Sequence, residues 1–279
     1  MFTVGAVIRQ TVQTFFKNII PFTILSILGV LVIWAVFYFV FSGYSEILSE
    51  LKDERALFEY IAAHQSELLV RIVLSAIIAT AIVLALNASI VYGTIVDLRG
   101  SSAGLGECAT KGLAKVPGAL GISLLLIIAI VAVMLLLITV STFLGGGSQD
   151  AQSTIVFLTI PFVIYLAIRW YVAIPALVVE NSGVVGALKR SADLTSGYRL
   201  QILVLISFSA AVSWALSKLS FILMGVLSSL GAHYLGMLAE LVLQAISIGF
   251  GAVLIAVVYH DLRVSKEGLG TDQIASTLD

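Results

Sequence analysis

Residues 117–144 read PGALGISLLLIIAIVAVMLLLITVSTFL, a stretch with no charged side chain. A helix rises about 1.5 Å per residue, so about 20 apolar residues cross the ~30 Å hydrocarbon core of a bilayer. This stretch is long enough to do so. Working outward from it, five more stretches have the same character, near residues 19–41, 69–96, 153–179, 200–230 and 235–260. Hydrophobic residues make up 60% of the 279 and charged residues only 11%, against roughly 45–50% and about 25% in soluble globular chains. The expected fold is therefore all-α, a polytopic membrane protein of six transmembrane helices forming one membrane domain over residues 1–279. The first stretch exceeds the ~7–15-residue core of a signal peptide, and no small-residue cleavage pattern follows it, so it is expected to remain as an anchor.

Basic residues next to spans are retained on the cytoplasmic side. With the N-terminus inside, Arg9, Lys17, Arg99, Lys111, Lys115, Lys189, Arg190, Arg199, Arg263 and Lys266 fall on that side. Lys52, Arg55 and Arg71 fall outside, and Arg169 and Lys218 lie within spans. Both termini are thus expected in the cytoplasm, with a short tail over 264–279. The segment 44–68, YSEILSELKDERALFEYIAAHQSEL, is expected on the outer side as an amphipathic acidic helix leading into the second span. Its charges serve either as a solvated face or as a landing site for a cationic partner.

Three inner segments share one design, a short amphipathic helix with a basic residue, a turn and a long apolar span. They are TVGAVIRQTVQTFFKNIIP at 3–21, SAGLGECATKGLAKVPG at 102–118 and GVVGALKRSADLTSGYR at 183–199. Two of the helix pairs they begin end in Asp-Leu-Arg (97–99 and 261–263), and the other ends in Glu180. This predicts a threefold internal repeat with units of about 1–100, 101–182 and 183–265. Short interfacial helices of this kind lie with their apolar faces in the headgroup layer and feed the chain into the bilayer.

Four motifs carry a family resemblance: Arg169-Trp170 followed by Pro175 and Glu180, AlaLeuLysArgSer at 187–191, LeuThrSerGlyTyrArg at 194–199, and TyrHisAspLeuArgValSerLysGluGly at 259–268. Together they resemble the membrane domain of glycerophosphoryl diester phosphodiesterases and related multi-pass bacterial inner-membrane proteins. The resemblance implies a bacterial cytoplasmic-membrane protein. It does not imply phosphodiesterase activity, which in that family resides in a separate soluble barrel with no counterpart here.

The residues themselves suggest binding without catalysis. There is no HExxH, no GxSxG elbow, no P-loop, and a single cysteine, Cys108. His64, His233 and His260 are far apart, and Gly145-Gly146-Gly147 is an outer turn with no phosphate-cradling helix after it. Neither an enzyme, a metal site nor a cofactor is expected, and a net charge of −1 gives no field for nucleic acid.

Ionisable groups inside a membrane are candidates for function because burying them in hydrocarbon is costly. Lys218 and Glu240 reach similar depth in the fifth and sixth spans, which predicts a salt bridge, and Gln244 lies one turn below Glu240 on the same face. Arg169 and Asn87 reach similar depth in the fourth and second spans, which predicts a contact beside a kink at Pro175. Lys111, Lys115, Lys189, Arg190 and Arg199 gather where anionic headgroups would lie. With Glu180 and the Asp-Leu-Arg residues, Lys189 and Arg190 are also expected in an ion-pair belt. The expected role is binding or moving a membrane amphiphile, a lipid or hydrophobic peptide. The rival is a scaffold or accessory subunit that docks a membrane-protein partner through its acidic outer and basic inner helices.

Overall fold

The computed structural model describes the backbone of residues 2–50, 54–145 and 149–268, and the side chains of these except 43–58, 141–156 and 158. Among the described residues the chain is eleven α-helices and no strand: α1 (Val4–Lys17), α2 (Ile19–Glu50), α3 (Glu54–Ala63), α4 (Gln65–Leu98), α5 (Leu105–Ala114), α6 (Val116–Gly145), α7 (Gln149–Arg169), α8 (Ala173–Glu180), α9 (Gly183–Thr195), α10 (Arg199–Ser229) and α11 (His233–Glu267). Six stretches are long and apolar enough to cross a membrane: Ile19–Ser42, Gln65–Leu98, Val116–Val140, Thr159–Glu180, Arg199–Ser229 and His233–Glu267. This is the architecture of a multi-pass membrane protein. The short helices α1, α5 and α9 each precede a long one, α2, α6 and α10, in the order expected from sequence.

Their composition explains the short helices. In α1 the buried residues Val7, Thr11, Thr14 and Phe15 form one stripe at helical spacing, while Arg9 and Gln13 are exposed. That stripe packs on α11, where the Phe15 and Phe250 rings meet edge to face at 5.6 Å. Pro21, Pro117 and Pro175 all fall in the first turn of a helix, where the missing N–H costs nothing.

Two expectations about elements change. The fourth span is not one kinked helix over 153–179, since the chain leaves the helix at 170–172 and α8 restarts at Ala173. Pro175 acts one turn earlier than its own position, because its ring removes the hydrogen bond to the carbonyl four residues back. The Ala173 N–H turns to the Trp170 carbonyl at 3.1 Å, so the Arg169 carbonyl loses its partner in the helix. Ser191 and Thr195 of α9 replace it, their hydroxyls donating to that oxygen at 3.1 and 3.2 Å.

The segment 44–68, expected on the outer side, is also not one helix. It comprises the end of α2, then α3, then the start of α4. The side chains of Glu46, Glu50, Asp53 and Glu54 lie outside the described residues, as do Gly146 and Gly147 of the outer turn. Nearby, Arg71 ties the spans, donating to Glu67 at 2.9 Å and to the Val40 carbonyl of α2 at 2.9 Å.

The core gathers at the end that carries α1, α5 and α9, around the second half of α11. Gly249, Ala252 and Ala256 let neighbours approach closely, and Val253, Leu254, Val257, Val258, Tyr259 and Leu262 are buried. Apolar residues in a bilayer gain nothing by leaving lipid for one another, so association there depends on close packing, which small residues allow.

Candidate functional site: an apolar cleft beside a charged belt

Polar groups at the core end of the bundle are joined across three helices, α8, α9 and α11. Glu180 closes α8, and its Oε1 accepts hydrogen bonds from Arg190 Nε of α9 at 2.8 Å and from the Tyr259 hydroxyl of α11 at 2.8 Å. Arg263 Nε stands 3.9 Å from the same carboxylate and donates to Glu267 at 2.9 Å, while Glu267 also receives Arg190. Burial alone would lower the Arg190 pKa, but the hydrogen bonds it donates to these two carboxylates hold it above its ordinary value. Lys17 pairs with Asp97 at 2.7 Å, linking α1 to α4. Arg99 next to it is held differently. Its Nε and Nη2 are buried without a partner, and burial, then the charge of Arg263, lower its pKa.

The belt expected from sequence is present in part: Glu180, Arg190 and Arg263 meet, whereas Asp97 pairs with Lys17, Asp261 contacts its neighbour His260, and Arg99 stays outside the network. Tyr259 and Glu267 join it, and Lys189 stays exposed outside it. Arg190 is fully engaged with carboxylates, so of its two expected roles the structure shows the ion pair.

Elsewhere at this end of the bundle, α2, α4, α5 and the start of α6 line an open cleft of about 680 Å³. It is walled by Leu25, Leu28 and Val32 of α2, by Ile78, Ile82 and Leu86 of α4, and by Leu113 and Pro117 at the α5–α6 junction, with Ser89 its only polar side chain. Ligand cavities typically run to about 300–1,000 Å³. Along one wall of the cleft α2 and α4 touch tightly where Gly29 meets Leu86. A Cβ on Gly29 would lie 2.3 Å from a Leu86 methyl.

The same junction carries a small polar pocket of about 80 Å³ lined by Tyr92, Lys111, Lys115, Val178 and Asn181. Lys115 donates to the Asn181 side chain, and Tyr92 donates to Glu107 at 2.7 Å. Burial, and then the like charge of Lys111, lower the Lys115 pKa. Two lysines with no carboxylate lining their pocket favour an incoming anion. Lys111 and Lys115 are thus brought together, as their shared candidate role required.

Two predicted contacts are not formed. The Asn87 amide donates to the Val83 carbonyl of its own helix at 2.9 Å, and the Arg169 guanidinium donates to the Tyr165 hydroxyl at 2.8 Å. α7 packs against α6, α9 and α10, and it is α8 that meets α4. Arg199, expected among headgroup ligands, lies 5.3 Å over the Tyr165 ring, so the two arginines share one aromatic side chain.

Lys218 and Glu240 do not pair either. Lys218 Nζ sits 5.9 Å from the centroid of the Trp214 ring, while Glu240 and Gln244 face Ser217 and Ser220 across a cavity between α10 and α11. Lys218 follows Ser217 and is turned about 100° from it around the helix, which takes it off that face. The chain matches no family model, no curated protein and no solved structure.

Proposed function

We propose that this protein binds a membrane amphiphile, with the apolar chain in the cleft of α2, α4, α5 and α6 and an anionic headgroup at Lys111 and Lys115. The cleft carries the reading: a cavity of about 680 Å³ with almost wholly apolar walls, with a two-lysine pocket on another face of the same α5–α6 junction. Each lysine near a membrane surface contributes about 1 kcal/mol toward an anionic headgroup. The role is non-enzymatic. Placement in a bacterial inner membrane with both termini cytoplasmic, the resemblance to the phosphodiesterase membrane domain, and a threefold repeat belong to the same proposal. The basic bias of the α1, α5 and α9 end and the recurring short-then-long helices support them.

A scaffold role has one observation in its favour. Only 6% of the most apolar stretch of α6 is buried, which leaves a long face for a partner helix. The test separates the two. Lipids retained by purified wild-type protein are compared with those retained by Ala81→Trp, which fills the cleft, and by the double change Lys111→Gln, Lys115→Gln. The expected result is loss of most retained lipid in the first and loss of preference for anionic headgroups in the second. A folded Ala81→Trp variant with an unchanged lipid profile would favour the scaffold.

A further inference from the structure

The cavity between α10 and α11 is separate from the cleft and differs from it in chemistry. It has a volume of about 200 Å³ and is lined by Ser213, Ser217, Ser220 and Leu216 of α10 and by Glu240, Leu243, Gln244 and Ser247 of α11. Three serines at helical spacing thus face a carboxylate and an amide.

Its depth follows from the belt. About 20 helical residues cross a bilayer core, and counting back from Tyr259 along α11 places Glu240 at the opposite edge of the apolar layer. Counting forward from Arg199 along α10 puts Ser217 and Ser220 at the same edge. Gln244 and Ser247 then lie about 6 and 10 Å deeper. The Ser247 hydroxyl donates to Ser213 at 2.9 Å to form a floor, beyond which the Phe208 and Phe250 rings meet at 6.2 Å. The cavity is a vestibule in the half of the α10–α11 pair away from the belt, where Ser217, Glu240 and Gln244 remain exposed.

Its one charge is negative. Among the described residues Glu240 has no ion pair or hydrogen bond, and Lys218 of α10 is turned to Trp214. The ligand implied is a cation. A bare metal ion needs its oxygens within about 2.3–2.6 Å, whereas this volume holds about six waters at ~30 Å³ each. A quaternary ammonium is recognised by aromatic faces, and no ring lines these walls. A primary ammonium carries three N–H donors, which suit a carboxylate, an amide oxygen and hydroxyls.

We propose that this vestibule binds a primary ammonium group, with Glu240 as counter-charge and Gln244, Ser213, Ser217 and Ser220 as hydrogen-bond acceptors. Free amines and ethanolamine-type lipid headgroups share that chemistry. The test measures the unfolding midpoint of the purified full-length protein with added ethanolamine, tetramethylammonium or sodium at equal ionic strength. Alongside it, the midpoint is taken in phosphatidylcholine nanodiscs with and without phosphatidylethanolamine. Saturable stabilisation by ethanolamine alone identifies a free amine, and stabilisation by phosphatidylethanolamine alone identifies the lipid. Glu240→Gln should weaken either response at least tenfold, and Lys218→Ala should leave it unchanged. Should Glu240→Gln fail to fold, Ser217→Val obstructs the same space with the charge retained and should give the same loss. Equal stabilisation by tetramethylammonium or sodium, no response to either amine source, or a full response in the folded variant overturns the proposal. Ala81→Trp should leave the ammonium response intact, which keeps this result distinct from the cleft experiment.

Discussion

The two halves of α11 are built to different standards. From Gly249 to Arg263 nearly every residue is buried, among them Tyr259, His260 and Arg263, whereas from His233 to Ser247 only Gly236, Leu241 and Ala245 are. The buried half has small residues on the faces toward α1, α2 and α4. The exposed half presents Tyr234, Leu235, Leu238 and Val242 outward. Half of the most apolar stretch of α11 is buried in total, against 6% of that of α6. The difference teaches where stability and ligand access reside. One end is a close-packed, ion-paired frame, and above it the spans separate enough to leave an apolar cleft on one side and a polar vestibule on another.

The largest expected effect comes from breaking the frame. Glu180→Ala removes the acceptor shared by Arg190 and Tyr259 and the nearest countercharge of Arg263 apart from Glu267. Removing one member of a partly buried pair costs on the order of 3 kcal/mol. The unfolding midpoint in detergent should fall sharply for Glu180→Ala and hardly at all for Leu238→Ala in the exposed half. Equal losses would erase the distinction between the halves.

A smaller loss is expected from Gly112→Ala. The added Cβ would lie 1.9 Å from Ser89 Oγ and 2.6 Å from the Ser89 backbone nitrogen, so α5 must shift from α4. Overpacking of this kind costs about 1–3 kcal/mol. Because α5 also walls the cleft, the variant should lose retained lipid along with stability.

The smallest effect is chemical. Cys108 is buried, and burial, then the charge of Glu107, push its thiol pKa up. The thiolate is the reactive form, so alkylation should be slow at neutral pH, should accelerate only above the ordinary thiol range, and should become fast on denaturation. Rapid labelling of the folded protein at neutral pH would mean that the α4–α5 contact opens readily.

The comparison also explains what the sequence disclosed. Spans were legible because an uninterrupted apolar run needs only length to be read. The belt was half legible, since Glu180, Arg190 and the two Asp-Leu-Arg sequences sit at helix ends, where position along the axis decides who can meet. Lys218–Glu240 and Arg169–Asn87 failed for the complementary reason. They were paired by counting along the helix axis alone, but each residue turns a helix by about 100°, and the direction a side chain takes depends on neighbours that no single span reveals. Gln244 could be placed beside Glu240 because the two share one helix. The serines at 213, 217 and 220 had the spacing of a common face, and only the cavity gave that face a meaning. The break at 170–172 was displaced from Pro175 by one turn, and the cleft depends on how α2, α4, α5 and α6 pack together, which leaves no mark in composition.

The central claim is that the cleft holds an amphiphile specifically, beyond ordinary contact with surrounding lipid. A photo-crosslinking amino acid at Ala81 inside the cleft, compared with one at Leu135 on the exposed face of α6, tests it most directly. The account predicts that after extensive detergent exchange Ala81 still yields an adduct with a narrow set of anionic amphiphiles, while Leu135 yields none. Equal adducts at both positions, or none at Ala81, would contradict it.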